Sequence, residues 1–274
     1  MNSSDGEGLQ AWRARIEAEL VSLSTLCGSE ADTLQEAAHY VLVGGGKRLR
    51  GLLTYAVWSD LSPKNRRGDA AKPLAAAVAL EALHAASLVH DDLPALDNDD
   101  MRRGKPSCHK AFGEATAILT ADALFGAALL RITSDPTLST DEQARISRVV
   151  SSAWLNLCVG QQLDIKQQQS SKTPKNGRAL MIQLKTGALF GASAAAGALC
   201  AGVRDAVIDR FTSWGVRIGE CFQAIDDLDD GDRPGSDREV IRDECQQVKQ
   251  AAHDLDPRLA FGTTISLVDA ILAV

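Results

Sequence analysis

The chain lacks a CxxC pair, a convincing run of strand residues, an internal repeat, a low-complexity linker and an excess of positive charge. Each absence excludes something. The six cysteines, Cys27, Cys108, Cys158, Cys200, Cys221 and Cys245, are scattered without a defensible disulfide framework, so they read as reduced thiols in a cytoplasmic setting. A formal net charge of -7 argues against nucleic acid as a partner. Residues 1–8 are polar and glycine-rich, with neither the apolar core of a signal peptide nor the Arg-rich, acid-poor character of a transit peptide. They read as a disordered tail, which leaves 9–274 as one domain.

Hydrophobic residues at 45% are enough for a sizeable core. Their spacing is helical: Leu9, Trp12, Ile16, Leu20 and Leu23 recur on one face, and Thr33 to Val43 repeats the pattern. Aromatics are few, at 4%. With no strand pattern, the expected fold is all-α, a single-domain helical bundle around a deep central cavity. The stretch 186–203 is long and nearly uncharged, so a membrane span has to be weighed. Its Ala and Gly content is only weakly hydrophobic for a span and equally allows close helix packing, which is the reading adopted, with no transmembrane segment.

Chemistry concentrates between His84 and His109. The apolar positions Leu80, Leu83 and Leu88 read as a buried helix, with His84, Ser87 and Asp91 on one face of it. Pro94 disfavours the helical conformation at Leu93 and can end the helix there, so the chain can bend Asp97 back toward Asp91. Carboxylates from a helix end and the following turn suit a hard cation such as Mg²⁺ shared with substrate phosphates. Arg102, Arg103, Lys105 and Lys110 follow at once. Alone, the stretch reads as a solvated acidic turn beside a basic one.

A second acidic cluster, Phe222 to Asp230, changes the balance. Asp226 and Asp230 share one helical face with Gln223 a turn earlier. Two such helix ends point to acids facing each other across the mouth of a cavity. Upstream, Gly44, Gly45 and Gly46 run into a helix carrying Lys47 and Arg50, a pattern that serves either as an anion cradle or as a helix C-cap followed by surface cations.

These motifs strongly resemble the trans-isoprenyl diphosphate synthases, the head-to-tail prenyltransferases. Asp91, Asp92 and Asp97 match the first Asp-rich motif in its longer form, continued by Arg102, Arg103 and Gly104; Asp226, Asp227 and Asp230 match the second. The resemblance implies that Lys47, Arg50, His84 and Arg103 hold isopentenyl diphosphate. It also implies that Lys185, of the family's KTG, pairs with the allylic diphosphate (dimethylallyl, geranyl or farnesyl), while Thr186 and Gln223 offer oxygen dipoles to the developing cation. By the same resemblance Gln161 lines that cavity and Asp164 supports it, although residues of this kind more often satisfy buried polar groups. Implied ligands of Mg²⁺, three ions with substrate bound, are Asp91, Asp92, Asp97, Asp226 and Asp230. Arg102 joins Lys185 in stabilising the leaving diphosphate. A homodimer is implied by the family alone.

The chain departs from the pattern in three places. Gly51 stands where relatives usually have proline, and Gln183 where they often have histidine. Past Asp230 the GKD-type lysine cannot be placed, with Arg233, Arg238 and Lys249 as candidate substitutes, and the C-terminal part reads as abbreviated. Where family members that stop at short products carry bulky aromatics before the first motif, this chain has Ala86 and Ser87. A deeper tunnel follows, with geranylgeranyl ahead of farnesyl in a C15 to C20 range. A regulatory or attenuated subunit acting with a catalytic partner is the second reading. A terpene cyclase is the third, weakened by Lys47, Arg50 and His84, which a single diphosphate does not require.

Overall fold

The computed structural model describes residues 3–27, 32–62, 71–169, 177–229, 238–256 and 262–272, and side chains within these except those of 3–7 and 27. The helices are α1 (Ser3–Ser24), α2 (Asp32–Leu42), α3 (Leu49–Leu61), α4 (Lys72–Asp91), α5 (Cys108–Phe112), α6 (Glu114–Thr133), α7 (Thr140–Gln168), α8 (Gly177–Ile182), α9 (Ala188–Cys200), α10 (Asp205–Asp229), α11 (Arg238–Ala252) and α12 (Thr263–Ile271). Strands β1 (Met101–Arg102) and β2 (Lys105–Pro106) form a short antiparallel hairpin. The fold is all-α, as the spacing predicts.

Two expectations need correction. Residues 3–8, read as a tail, belong to α1; no proline interrupts them, so the ladder of the amphipathic segment propagates back at little cost. Asp141, the acid just after the Pro136 loop, reads as a cap for the next helix, α7, but Ser139 takes that place. Its hydroxyl accepts the Glu142 N–H at 3.3 Å while Glu142 accepts the Ser139 N–H at 2.8 Å. This is a reciprocal capping box, legible as Ser-x-x-Glu. The sequence also reads as loops over 62–68 and 170–177 and as a turn over 231–235; these, with Arg233 and Asp230, lie wholly or mostly outside the described residues.

At the centre stand α4 and α9, both buried along nearly their whole length. α9 packs against α3, α7 and α10, and its small residues make this close approach feasible. A Cβ on Gly197 would lie 2.4 Å from the Thr54 carbonyl oxygen, and one on Gly215 of α10 would lie 2.5 Å from that of Phe190. The reading of 186–203 as a packed bundle element matches this burial. Among the described residues, three helical stretches, Lys72–Asp91, Glu114–Thr133 and Gly177–Cys200, are nevertheless long and apolar enough to cross a membrane by length and composition.

Candidate active site

The first acidic motif is built by the end of α4. The helix stops at Asp91, and the chain curls through Pro94 so that the Asp97 N–H donates to the Asp91 carbonyl at 2.9 Å, while the Leu96 N–H donates to that of Leu93 at 2.9 Å. Two carboxylates six residues apart are thus returned to one end of the helix, as Pro94 predicts. Burial pushes the Asp91 carboxyl up to about 6; the charges of Asp97 and Asp92 add to this against Lys185 and Arg102.

Asp92 goes elsewhere. Successive helical positions point about 100° apart, and its buried carboxylate takes the Arg102 guanidinium through Nε, at 2.9 Å, and through Nη2. Arg102 also bonds Asp99 at 2.9 Å. The structure therefore does not bring Asp92 to the mouth where Asp91 and Asp97 meet, and it engages Arg102 in a fixed ion pair. An acid buried against a bidentate arginine is an anchor rather than an open metal ligand.

Arg103 and Gly104 occupy the two central positions of the β1–β2 turn, with φ of 53° and 77°, as a two-residue hairpin turn of this type demands. This turn swings Arg103 over the glycine loop, where its Nη1 donates to the Gly45 carbonyl at 2.5 Å. Gly46 beside it has φ 121°, a backbone conformation that side chains rarely adopt, and a Cβ there would also press on the Arg103 guanidinium at 3.0 Å.

Next to it, Lys47 is exposed, and Arg48, which sequence reasoning passed over, turns inward at φ 55°. Arg48 donates to the Leu42 carbonyl at 2.7 Å and lies 3.9 Å from the buried Glu81 carboxylate. Glu81 also accepts the Gly51 N–H at 2.9 Å. That bond holds the start of α3 where relatives have proline, which has no N–H to give. Arg50 lies over the Phe190 ring, 4.6 Å from its centroid, and its Nε is buried without a partner. Burial brings Arg50 down to about 10, with Glu81 and Asp226 opposing and Arg103 reinforcing the shift. His84 is held neutral by burial and then by Arg50, Arg103, Arg48 and Arg102. Four guanidinium groups thus act on one uncharged imidazole, with the buried Glu81 carboxylate beside Arg48.

The opposite wall is a π-helical turn, Gln183–Gly187, between α8 and α9. Gly160 of α7 allows it, because a Cβ there would fall 2.3 Å from the Lys185 nitrogen. Lys185 Nζ donates to Asp164 at 2.6 Å. Burial works against the ammonium, but the Asp164 bond and the charges of Asp91 and Asp97 outweigh it and raise Lys185 above its ordinary value. Thr186 Oγ1 donates to Gln223 Oε1 at 2.9 Å, and Gln223 Nε2 to Asp227 at 3.0 Å. The buried Asp227 also takes Arg178 at 2.8 Å, leaving Asp226 on the exposed side of α10. Gln161 is buried with both amide atoms unpartnered.

These contacts close a circuit. Asp91 acts on Lys185, Lys185 is followed by Thr186 bonded to Gln223, Gln223 lies one turn before Asp226, and Asp226 acts on Arg50 and thence His84, two turns before Asp91. Acids and cations alternate along this ring, each coupled to the next. The donor set, Asp91, Asp97 and Asp226, is all carboxylate oxygen and fits a magnesium ion. Among the described residues no three acidic, His or Cys side chains converge closely enough to hold a metal unaided, so such an ion would be completed by substrate oxygens and water.

Comparison with known proteins gives the same picture. Residues 31–243 match the family model described as polyprenyl synthetase. The farnesyl diphosphate synthase of Haemophilus influenzae is 35% identical over 254 residues, covering 91% of this chain and 81% of that protein. Geranylgeranyl pyrophosphate synthase 3 of Arabidopsis thaliana, a chloroplastic protein, is 37% identical over 202 residues; the match covers 72% of this chain and only 55% of that longer protein. The crystal structure of an FPP/GFPP synthase from Zymomonas mobilis superposes with a TM-score of 0.85 at 28% identity, covering 100% of this chain and 99% of that one.

The crowding at Asp91 has a measurable consequence. The folded protein holds this proton up to about pH 6, whereas an unfolded aspartate releases it near ~4. Stability from this group is therefore highest below about pH 4 and declines as pH rises through about 6. Without magnesium, Asp91→Asn is expected to be more stable than the parent by about 2 kcal/mol at pH 7 and by nothing near pH ~4 in denaturant titrations. Equal stability at both pH values contradicts the shift.

Proposed function

The chain belongs to the polyprenyl synthetase family, and is thus a trans-prenyltransferase; from that premise we propose that it condenses isopentenyl diphosphate with an allylic diphosphate, head to tail, in a magnesium-dependent reaction. The observation that carries this reading is that acids and cations of the two motifs act on one another across the helices, Asp226 of α10 on Arg50 of α3 and Asp91 of α4 on Lys185. Asp91 and Asp97 stand with Lys185 on one side, while Arg48, Arg50 and Arg103 surround a neutral His84 on the other. One diphosphate is bound through acids by way of metal; a second is bound by arginines directly.

Magnesium, when held by Asp91, Asp97 and Asp226, supplies positive charge to the departing diphosphate. Lys185 points its ammonium at the same group. Arg50 and Arg103 orient isopentenyl diphosphate so that its double bond faces the allylic carbon, and the neutral His84 can donate a hydrogen bond without adding charge. Thr186 and Gln223 turn oxygens toward the cation, and the released diphosphate takes the proton lost on closure. The apolar walls of α4 and α9 exclude water that would quench that cation.

Product length depends on α4 beneath Asp91. Ala86 is fully buried, Ser87 Oγ donates back to the His84 carbonyl at 3.0 Å, and neither fills space as an aromatic ring would. This supports a tunnel deep enough for a C20 chain, geranylgeranyl diphosphate ahead of farnesyl. A second copy of the chain is the proposed partner. α6 exposes Ile118, Leu119 and Leu130, and α7 exposes Leu155 and Val159. Apolar side chains clustered this way on adjacent helices fit a symmetric interface.

Incubation of the purified chain alone with Mg²⁺, isopentenyl diphosphate and farnesyl diphosphate is expected to give geranylgeranyl diphosphate by product chromatography. Product formed only when a catalytic partner is added favours the regulatory-subunit reading; a cyclic hydrocarbon favours a cyclase. Ala86→Phe is expected to shift the product to a shorter chain, and an unchanged product removes position 86 from length control. Light scattering is expected to give twice the chain mass for the parent and the single-chain mass for Leu155→Glu. A monomeric parent, or one that sediments with lipid vesicles, argues against the dimer.

A further inference from the structure

Helix α1 buries Leu9, Trp12, Ile16, Leu20 and Leu23 in the core. Two charged residues beside that face, Arg13 and Glu17, reach instead toward the glycine loop. Arg13 Nη2 donates to the Gly46 carbonyl at 3.1 Å, and Arg13 Nε donates to Glu17 Oε1 at 3.2 Å. The same Glu17 oxygen lies 3.8 Å from Nε of the buried Arg48, whose Nη1 lies 3.9 Å from Glu81. A line of alternating charge therefore runs from the surface of α1, past the loop, to the interior of α4.

Packing sets the distance between α1 and the loop. A Cβ on Gly51 would lie 2.9 Å from Ile16 Cδ1, so Ile16 seats against bare backbone at the start of α3. Arg13 is one turn before Ile16 on α1, which brings it level with the loop that leads into α3. Carbonyls along that loop are held by side chains from elsewhere. Arg48 holds that of Leu42 at 2.7 Å, Arg103 that of Gly45 at 2.5 Å, and Arg13 that of Gly46. Gly45 and Gly46 have φ of 90° and 121°. A glycine pair has the most conformational freedom to lose on being fixed, so such a loop needs ties to keep one shape.

We propose that Arg13 is a positioning residue for isopentenyl diphosphate. It touches no substrate; by holding the Gly46 carbonyl it keeps the glycine loop, with Lys47 next in the chain, in the shape that receives the diphosphate. Of the two side chains tied to the glycine pair, Arg103 is also assigned to that diphosphate, whereas Arg13 has no second task. The Arg13 bond is thus the tie that does not compete with substrate. Glu17 aims Arg13 through the Nε bond, and its charge faces Arg48 from the solvent side as that of Glu81 does from the interior. The effect is preorganisation, because a loop already held loses less freedom when its ligand arrives. The inference rests on the assignment of this loop to isopentenyl diphosphate and deepens it.

The Arg13 side chain is 41% exposed, so its replacement leaves the fold intact. In steady-state kinetics of the full chain with Mg²⁺, Arg13→Ala is expected to raise KM for isopentenyl diphosphate about fivefold. Both kcat and KM for farnesyl diphosphate should stay within about twofold of the parent. Arg13→Lys can still reach the carbonyl but lacks a second nitrogen for Glu17, and should fall between. Arg15→Ala removes the same charge from the same helix, where the guanidinium lies 4.5 Å from the Trp12 ring centroid, and should match the parent. An unchanged KM for isopentenyl diphosphate in Arg13→Ala, or an equal rise for both substrates, overturns the proposal. Hydrogen exchange of the substrate-free protein tests the tie apart from the substrate. The Gly45 N–H, bonded to the Val43 carbonyl at 2.8 Å, should exchange roughly tenfold faster in Arg13→Ala, with the amides of α9 unchanged. Faster exchange in a chain that condenses nothing supports the tie and counts against the substrate assignment. Unchanged exchange overturns the tie even where condensation proceeds.

Discussion

Like charges held together with too little compensation are the constraint on which the rest of this structure depends. Asp91 and Asp97 are brought to one helix end by a backbone bond, and Arg48, Arg50 and Arg103 are brought around His84 by the glycine loop and the β1–β2 turn. Neither arrangement is favourable by itself. Burial in a partly dry cavity raises the Asp91 pKa and lowers that of Arg50, and the like charges of Asp97 and Arg103 add to the two shifts. Such strain persists only when the surrounding scaffold over-determines it. The packed α4 and α9 supply that determination, because buried helices in van der Waals contact cannot swing apart to relax a few charges.

The same scaffold explains where irregular backbone is placed. The π-helical turn at Gln183–Gly187 inserts an extra residue into what is otherwise one long helical path from α8 into α9. It rotates Lys185 and Thr186 onto the cavity, so that one reaches Asp164 and the other Gln223. Gly160 is the accommodation on the neighbouring helix. Bulges of this kind are frequent at functional sites, and here the local defect and the two side chains it aims coincide.

Much of this was legible in sequence, for identifiable reasons. Pro94 is a strong local signal, so the return of Asp97 to Asp91 could be anticipated from backbone sterics alone. The small-residue stretch 186–203 announced close packing, and α9 is buried throughout. What escaped notice depends on direction rather than composition. Lys47 and Arg48 are equally basic neighbours, and only the left-handed backbone at Arg48 decides that it faces inward. The π turn has no compositional signature in Gln183–Gly187. The role of Glu81 emerges only because α3 and α4 are neighbours, since a lone acid in an apolar helix cannot declare which N–H it will meet. The Ser139 capping box was available and overlooked beside the nearer acid Asp141.

A common rule links the doublets. On a helix, adjacent residues diverge by about 100°, so two neighbouring charges cannot both face the cavity. At the first motif Asp91 faces it and Asp92 is buried against Arg102; at the second, Asp226 lies on the exposed side and Asp227 is buried against Arg178. The glycine loop repeats the division with Lys47 outside and Arg48 buried near Glu81. In each doublet one member meets solvent and ligand, while its neighbour fixes the angle of the shared backbone through an ion pair inside. Removing the buried acid of either motif releases an arginine that is partly exposed and can turn to water, so what is lost is chiefly the fixed angle of the backbone, whereas removing the outward member leaves that backbone in place. Doubled acids in this chain are therefore best understood as one working group with its own mount.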